Sequence, residues 1–485
     1  MGDAGTSTST FPFGVASGDV SHGDVVLWTK LATPGGTVSW HLQPANGGEP
    51  KTGEAASDPT SGAVHVKVDG LDAGIPYRYW FESGDEKSPE GRFKTIPTDR
   101  PVRFAVVSCA KYNSGYFNAY RAIAELDGID FVLHLGDYIY EAAQIPTGKQ
   151  TAGKATDRPM DPLGDCMTQR DYDTRYTLYR RDADLQLLHS RHAMMATIDD
   201  HELSDNAWFG GAQEHEEEHH GPWRDRSNAA MTVWSDWMPT LRQPARGDAI
   251  WQEIDLGVAG RVLLGETRLN RSHPADPGTE AKTALGLEQR AFMLDRLTTP
   301  HEGWTFLALP SMLSDLDAAV SDETALFALH KLKMADADAP ESFHDLWDSY
   351  DFEQDALMDA ASLADRTVVL SGDVHFSAEH VTPLRNGGTY IEWTVPSVTS
   401  ANLDDKMGWP RGTESRNYEA AMVRMLTDMR WCDLDSHGYL VISVSSERVS
   451  CQWWFVDQVL TVSDEVTLGR EVVLPAEPYG EEAVR

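Results

Sequence analysis

The amino-acid sequence predicts an α/β (α+β) protein, in which a β-sheet is covered by helices, with a small β-sandwich domain at its N-terminal end. Two observations predict this arrangement. Short β-rich segments separated by Gly, Pro, Asp and Asn fill residues 11 to 95, and beyond residue 103 apolar strands alternate with segments of helical spacing. We therefore predict a first domain at residues 1–97 and a second domain at residues 98–485.

The first domain is predicted to be an immunoglobulin-like or fibronectin-like sandwich. Turn residues bound each β-rich run at short, regular intervals, which is typical of antiparallel sandwiches. The predicted strands are VVLWTKLA, TVSWHLQ, AVHVKVDGL, YRYWFES and GRFKTI. The segment TIPTDRP at 95–101 is the predicted linker.

The second domain begins with a strand–helix–strand unit, and this order favours a sheet covered by helices. Its parts are RFAVVSCA at 103–110, NAYRAIAEL at 118–126 and DFVLHLGD at 130–137. Further predicted strands are HAMMATIDD, RVLLGET, WTFLALPS and TVVLSGDV, and predicted helical stretches are RDYDTRYTLYRRDADLQLLHSR and DRSNAAMTVWSDWM. The acidic segment 214–226 is predicted to be a solvated loop, and residues 437–457 a late hairpin.

The charge balance excludes several classes of function. The chain carries 41 Lys and Arg against 76 Asp and Glu, a net charge of −35. This balance argues against binding nucleic acid or an anionic bilayer through phosphates. An acidic protein that handles phosphate needs a local positive charge, and a bound metal ion supplies one.

Possible targeting segments and the cysteine count say little about what the protein does. No window approaches the roughly 18 apolar residues of a membrane span, so we expect no transmembrane segment. MGDAGTSTST shows no export signal, and this start could equally be an engineered one after a removed signal. Four cysteines do not form a disulfide framework in a chain of 485 residues. Cys432 and Cys451 are expected either to pair or to be packed free thiols.

Four polar clusters each follow an apolar strand: SCA at 108–110, GDYIY at 136–140, DDHE at 199–202 and GDVH at 372–375. Each alone has an ordinary explanation as a turn, a helix cap or a packed thiol. Functional sites gather at the carboxyl ends of strands in open α/β sheets, so four such clusters favour one shared site. Together they supply cysteine, aspartate, tyrosine and histidine, the donors of a metal site.

The order of these clusters resembles the calcineurin-like metallophosphoesterases and, within them, the PhoD-type alkaline phosphatase D group. The similarity covers nearly the whole chain, including FPFGVASGDVSHGDVVLWTKL at 11–31, the segment 171–206 and LSGDVHFS at 370–377. It implies the sandwich of mixed sheets typical of that superfamily. As in the PhoD-type group, Cys109 stands near the metal position of the first motif, Tyr140 follows Asp137 by three residues, Asp200 replaces an asparagine and Asp373 replaces a histidine.

The donor types point to two metals, one of them redox-capable. A thiolate, a phenolate and an imidazole suit ferric iron, whereas an oxygen-only neighbouring site suits calcium. The resemblance implies Fe³⁺ and Ca²⁺. We assign iron to Cys109, Asp137, Tyr140 and His375, with Asp137 bridging the metals, Asp200 on the calcium side, and Asp373 shared or on the calcium side.

Four further residues are predicted to act on the substrate. His201 is expected to stabilise the developing charge or to protonate the leaving alkoxide. Glu202 is expected either to orient His201 or to be a solvent-facing or capping residue. Asn206 is expected to touch the substrate. Arg268 follows a strand and is expected either to bind a phosphate oxygen or to form a structural salt bridge.

One ligand position stays open. Many members of the superfamily supply a further histidine or amide where this chain has LALPSML at 307–313, and water ligands on calcium would fill that position. His330 and His344 lie near it in less certain segments, while His219 and His220 lie in an acidic loop. We leave all four histidines out of the predicted site.

The leading hypothesis is a metal-dependent phosphohydrolase that cleaves phosphomonoesters and phosphodiesters by attack of metal-activated water or an oxo ligand on phosphorus. Its substrate ranges from a sugar phosphate to a teichoic acid or a phospholipid headgroup. The alternatives are a phospholipase D-like phosphodiesterase on the same scaffold and a non-catalytic glycan- or partner-binding module. Relatives of this type are commonly exported, while the oligomeric state is left open.

Overall fold

The computed structural model describes residues 9–142, 157–314, 323–331, 346–363, 366–384, 387–426 and 428–476. Its N-terminal part consists of antiparallel strands in a three-stranded sheet of order β1-β2-β5 and a five-stranded sheet in which β4-β3-β6-β7 are neighbours and β8 pairs with β6. The strands are β1 (Val15–Gly18), β2 (Val25–Lys30), β3 (Thr37–Pro44), β4 (Lys51–Ala56), β5 (Ala63–Val68), β6 (Pro76–Ser83), β7 (Glu86–Lys87) and β8 (Gly91–Lys94).

All five strands predicted for this region are present, as β2, β3, β5, β6 and β8. Three strands were not predicted. One of them, β4, has the sequence KTGEAA and alternates between intermediate and exposed positions at the edge of its sheet. A strand without a buried face carries no apolar alternation, so its sequence gives no β signal.

The larger part of the chain holds two mixed sheets. Their strands are β9 (Val102–Val107), β10 (Phe131–His134), β11 (Met194–Ala196), β12 (Gln252–Asp255), β13 (Gly260–Leu264), β14 (Trp304–Ser311), β15 (Thr367–Gly372), β16 (Ser377–Pro383), β17 (Thr389–Thr394), β18 (Met429–Asp433), β19 (Gly438–Val444), β20 (Arg448–Val456) and β21 (Val466–Pro475). One sheet has the order β11-β10-β9-β19-β20-β21 and the other β12-β13-β14-β15-β17-β16-β18. The predicted mixed α/β fold is confirmed.

The described helices are α1 (Asn118–Glu125), α2 (Gln169–Arg180), α3 (Ala183–Arg191), α4 (Glu217–His220), α5 (Trp223–Trp237), α6 (Leu287–Thr298), α7 (Glu323–Lys331), α8 (Asp351–Leu363), α9 (Leu403–Met407) and α10 (Ser415–Met425). The predicted β–α–β unit is β9, α1 and β10, with the two strands parallel and adjacent. The predicted late hairpin is the antiparallel pair β19–β20.

Two helical predictions need correction. The single stretch predicted at 170–191 is two helices, because the Asp182 side chain accepts hydrogen bonds from the backbone N–H groups of Asp184 and Leu185 and starts α3. The segment 214–226, predicted to be a loop, contains α4 and the first turn of α5. The α4 side chains are largely exposed, which agrees with the solvation that its charge predicts.

The two mixed sheets pack face to face through buried aromatic rings. Phe104 on β9 stacks on Phe131 with ring centroids 4.9 Å apart and meets Phe306 of the other sheet edge-on at 5.5 Å. Trp393 and Trp453 make a second contact between the sheets, with centroids 6.2 Å apart. All four cysteines are free and buried, so Cys432 and Cys451 are packed thiols. Within the described ranges, no helix combines the length and apolar character needed to cross a bilayer.

The carboxyl ends of β9, β10, β11 and β15 converge where the two sheets meet. An isolated parallel bridge joins Ser108, just after β9, to Ser397. A Cβ atom at Gly372 would lie 2.7 Å from Ser108 Oγ, and a Cβ atom at Gly136 would lie 2.5 Å from the Asp199 nitrogen. Glycine at these two positions therefore permits the close approach of segments that carry all four predicted clusters.

Candidate metal centre

The backbone at the predicted site is held in a conformation that non-glycine residues rarely adopt. Of the seven non-glycine residues with positive φ in the described chain, five are predicted site residues: Cys109, Asp137, Asn206, Asp373 and His375. Such backbone costs free energy and persists where the surrounding structure enforces it, often at functional sites. The turn after each strand thus directs its side chain into a shared space instead of continuing the sheet.

Three side chains from three strand ends form a first cluster of donors. One ligand atom each from Cys109, Asp137 and His375 lie within 4.8 Å of one another. Cys109 and Asp137 are buried, and His375 is half-buried. Sulfur, oxygen and nitrogen donors at this spacing fit a transition metal such as iron.

A second cluster shares one member with the first. Ligand atoms of Asp137, Asp200 and His201 also lie within 4.8 Å of one another. Asp200 Oδ2 accepts a hydrogen bond from the Asn206 backbone N–H at 2.7 Å, whereas its buried Oδ1 has no hydrogen-bond partner among the described residues. A buried carboxylate oxygen without a donor is costly unless a cation satisfies it. Asp137 therefore lies between two potential ligand sets.

Tyr140 lies against both sets. Its hydroxyl donates to Asp137 Oδ2 at 2.7 Å, accepts from Ser400 Oγ at 2.6 Å and lies 3.2 Å from His375 Nε2. Its ring centroid is 4.0 Å from that of His201. The predicted grouping of Tyr140 with Asp137 and His375 is thus observed.

The buried acidic donors of this space ionise only if a positive charge lies close to them. Burial, together with the carboxylates of Asp137 and Asp373, raises the pKa of the Cys109 thiol well above its usual value. Burial likewise raises the pKa of Asp137 and Tyr140 well above their ordinary ranges and lowers that of His375 well below its own. Bound cations would reverse the preference at Cys109, Asp137 and Tyr140, because they favour thiolate, carboxylate and phenolate, whereas the neutral imidazole of His375 is already the form that binds a metal. The residues present therefore fit two metal ions sharing Asp137.

His201 is oriented by a residue that the sequence did not single out. Its Nδ1 donates to Glu141 Oε2 at 2.7 Å, and Glu141 Oε1 accepts from the Asp205 backbone N–H at 2.8 Å. Burial alone would raise the pKa of Glu141, but His201, the charge of Arg226 and the Asp205 backbone N–H together lower it to about 2. Glu141 directly follows Tyr140 in the segment after β10. This position beside a predicted metal ligand was the sequence signal that could have identified Glu141 as a site residue.

Glu202 shows the capping contact that was one of the alternatives given for it. Its buried carboxylate accepts backbone N–H bonds from Asp137 at 3.0 Å, Tyr138 at 2.6 Å and Asp199 at 2.8 Å. It therefore binds the turn after β10 to the turn after β11, while Glu141 orients the His201 ring. Burial raises the pKa of Glu202 to about 8.

Arg268 forms a buried salt bridge, which was one of the two alternatives given for it. Its Nε donates to Asp199 Oδ1 at 2.6 Å, and both side chains are almost fully buried. This contact braces the turn that carries Asp199 and Asp200.

Asn206 and Asp373 border the clusters. The Asn206 backbone N–H bonds to Asp200, while its side-chain amide bonds to Gln213. Asp373 is half-buried and close enough to raise the pKa of Cys109, but it belongs to neither cluster.

The histidines left out of the prediction are not brought to the centre where they are described. His219 is exposed and lies 3.5 Å from Glu216, and His220 bonds through Nδ1 to the Glu216 backbone nitrogen. The side chain of His330 and the whole of His344 lie outside the described residues. In the segment 307–313, β14 continues to Ser311, and Glu392 accepts the backbone N–H of Leu313.

Four strand-end segments converge here on a buried aspartate between two donor clusters, and this fold and site are those of a phosphatase. The chain belongs to the PhoD-like phosphatase family, whose family model matches residues 104–453, while the model of the family's N-terminal domain matches residues 3–97. The resemblance inferred from the motifs is confirmed, and the family is one of phosphoric ester hydrolases.

Known proteins agree with this assignment. Alkaline phosphatase D of Bacillus subtilis (strain 168) is 29% identical over 410 residues, which span 77% of this chain and 66% of that protein. The solved structure of a PhoD protein superposes with a TM-score of 0.81 at 24% identity, covering 98% of this chain and 92% of the other. A purple acid phosphatase from yellow lupin (Lupinus luteus) seeds shares the fold, with a TM-score of 0.57 at 14% identity over 95% of this chain and 73% of the other.

Proposed function

We propose that this chain is a metal-dependent phosphohydrolase that cleaves phosphomonoesters and phosphodiesters. Membership of the PhoD-like phosphatase family supports the reaction class. The observation that carries the metal dependence is the position of Asp137, whose carboxylate belongs to both donor clusters. One carboxylate between two metals is a recurrent arrangement in phosphate-cleaving centres.

In this proposal the metals are Fe³⁺ and Ca²⁺. Cys109, Tyr140 and His375 offer the thiolate, phenolate and imidazole that ferric iron prefers, while Asp200 and Asp373 offer the oxygen ligands that calcium prefers. The unpartnered Oδ1 of Asp200 supports a cation on its side of Asp137. When bound, two such ions would clamp the phosphoryl oxygens and lower the pKa of a water molecule.

The protein groups then handle the leaving group. His201 is the proposed general acid, because its imidazole lies beside Asp137 and Asp200 and is held by Glu141. Burial lowers the pKa of His201, but the charges of Asp200, Glu141 and Asp137 outweigh burial and raise it well above its usual value. Bound cations would offset the charges of Asp200 and Asp137, whereas the charge of Glu141 stays beside the ring and favours the protonated imidazole that a general acid requires.

Two lysines near the centre suit an anionic substrate. Lys111 and Lys406 contribute to the lowered pKa of His375 through their positive charge, and Lys111 Nζ lies 5.1 Å from the centroid of the Tyr140 ring. On a chain with a net charge of −35, these lysines and the metals would provide the local positive potential that draws in a phosphate ester.

Metal content and hydrolysis test the proposal together. Protein purified without chelator is expected to contain iron and calcium, to absorb visible light through thiolate and phenolate charge transfer, and to hydrolyse p-nitrophenyl phosphate and bis(p-nitrophenyl) phosphate. Activity confined to choline phospholipids would instead favour the phospholipase D-like alternative. Absence of iron would overturn the iron assignment, and absence of hydrolysis on all three substrates by metal-loaded protein would overturn the proposed function.

A further inference from the structure

A second group of acidic side chains lies outside the centre around Asp137. Glu419 on α10 meets Asp433, the last residue of β18, and Asp435, in the short connection to β19. One carboxylate oxygen of each lies within 4.8 Å of the others. All three are buried, with exposures of 8%, 4% and 2%, respectively.

The charges in this group are only partly compensated. Arg416 Nη1 lies 2.8 Å from Glu419 Oε2 and 3.6 Å from Asp433 Oδ2, but its side chain is 52% exposed. One half-exposed guanidinium thus faces three buried carboxylates. Because like charges this close repel strongly in a buried environment, the group needs either a bound proton or a bound cation.

Asp435 distinguishes this group from an ordinary acidic turn. Its Oδ2 accepts hydrogen bonds from the Gly412 backbone N–H and from Ser415 Oγ, both at 2.5 Å. Its Oδ1 is buried and has no hydrogen-bond partner in the described part of the chain. Asp433 Oδ1, by contrast, accepts backbone N–H bonds from Asp435 and Ser436. A buried carboxylate oxygen that lacks a hydrogen-bond donor, with two further carboxylates beside it, matches the oxygen ligands that a hard cation takes.

We propose that Glu419, Asp433 and Asp435 form a structural site for a hard divalent cation of the Ca²⁺ type, separate from the centre at Asp137. The donor set is made of carboxylates, without thiolate or imidazole, and this favours calcium over a transition metal. The site does not depend on the proposed hydrolase activity.

Such an ion would stabilise the surroundings of the metal centre through a chain of contacts. His437, two residues after Asp435, lies 3.0 Å from Ser397 Oγ through Nδ1 and 2.9 Å from Asp405 Oδ2 through Nε2.

The segment between Ser397 and Asp405 contacts two predicted iron ligands. Ser400 donates a hydrogen bond to the Tyr140 hydroxyl, and the Ala401 carbonyl lies 3.2 Å from His375 Nδ1. An ion linking α10 to the β18–β19 connection therefore restrains residues that contact two predicted iron ligands.

Calcium stoichiometry and thermal stability test this site. The full chain is freed of loosely held metal, titrated with Ca²⁺, and assayed for bound Ca²⁺, iron and Tm. Asp435→Asn is expected to bind about one Ca²⁺ fewer than the parent at equal iron content, and to lose a Ca²⁺-dependent rise in Tm on the order of 5 °C. Glu419→Gln should behave in the same way, whereas Glu414→Gln, at the exposed residue directly before α10, should match the parent.

Two outcomes would overturn the proposal. If the Asp435→Asn or the Glu419→Gln protein binds as much Ca²⁺ as the parent and shows the same rise in Tm, the acidic group holds a proton instead of a cation. Should both variants fail to fold, Asp200→Asn still decides the matter, because it alters the metal centre and leaves this cluster intact. Absence of Ca²⁺ binding by folded Asp200→Asn would equally contradict the site.

Discussion

His201 Nδ1 donates a hydrogen bond to Glu141 Oε2 across 2.7 Å, and both side chains are largely shielded from solvent. Because an ionised carboxylate only accepts hydrogen bonds, this contact places a proton on Nδ1 and orients the ring. The same contact raises the pKa of His201 through the charge of Glu141. Glu141 is therefore a positioning residue for the proposed general acid.

Replacing Glu141 with glutamine is expected to lower kcat by about 10- to 100-fold, with a smaller effect on KM. The carboxylate raises the pKa of His201, so its loss lowers that pKa. Since His201 acts in its protonated form, the alkaline limb of the kcat–pH profile should move to lower pH. Glu218→Gln, in the exposed α4, is the matched control. An unchanged profile in folded Glu141→Gln would contradict this role.

Asp137→Asn is expected to lower hydrolysis of an aryl phosphate by at least about a thousandfold, because a neutral amide bridges two cations poorly. Iron and calcium content should fall together, since Asp137 belongs to both donor clusters. Elemental analysis beside a p-nitrophenyl phosphate assay measures both effects. The same change at exposed Asp127 should leave both unaffected. Loss of a single metal only would argue against a shared carboxylate.

Tyr140→Phe tests the phenolate separately. The ring contact with His201 is kept, while the hydroxyl that bonds to Asp137 and Ser400 is removed. Visible absorption should therefore shift or weaken at nearly unchanged thermal stability, with iron retained through Cys109, Asp137 and His375. Tyr116→Phe, at a ring that faces Arg158, is the control for the change of residue type. An identical spectrum in folded, iron-containing Tyr140→Phe would exclude the phenolate as a ligand.

Arg268→Gln separates a structural role from a substrate-binding one. The guanidinium pairs with buried Asp199 at 2.6 Å, so its removal should lower the free energy of unfolding by about 3–5 kcal/mol. KM for a small phosphate ester should change less than twofold in the folded fraction. Denaturant unfolding and steady-state kinetics at low temperature provide the two measurements. A large rise in KM with unchanged stability would instead support phosphate binding by Arg268.

Local sequence patterns predicted much of the site because its residues follow recognisable strands. The runs before Cys109, Asp137, Asp200 and Asp373 are buried strands, as their apolar composition predicts. The clusters at their ends followed from strand position and from motif resemblance. The domain boundary at residue 97 and the roles of the individual site residues stay predictions.

Other features could not be predicted from local patterns. Glu141, Glu202 and Arg268 have side chains whose partners lie 60 or more residues away in sequence, apart from the Asp199 bond of Glu202. Spacing along the chain contains no information about such pairs. The edge strand β4 was missed because neither of its faces is fully buried.

The sequence by itself determined the class of fold, the order of the strand-end clusters and the family, because hydrophobic period and short motifs are local properties. Only the tertiary structure decided which carboxylate meets which partner. It brings Asp435 to Glu419, assigns Glu141 to His201, and assigns Glu202 to the backbone of Asp137. The physical reason is that a buried charge or polar group must find a partner in three dimensions, and sheet packing determines which groups are within reach.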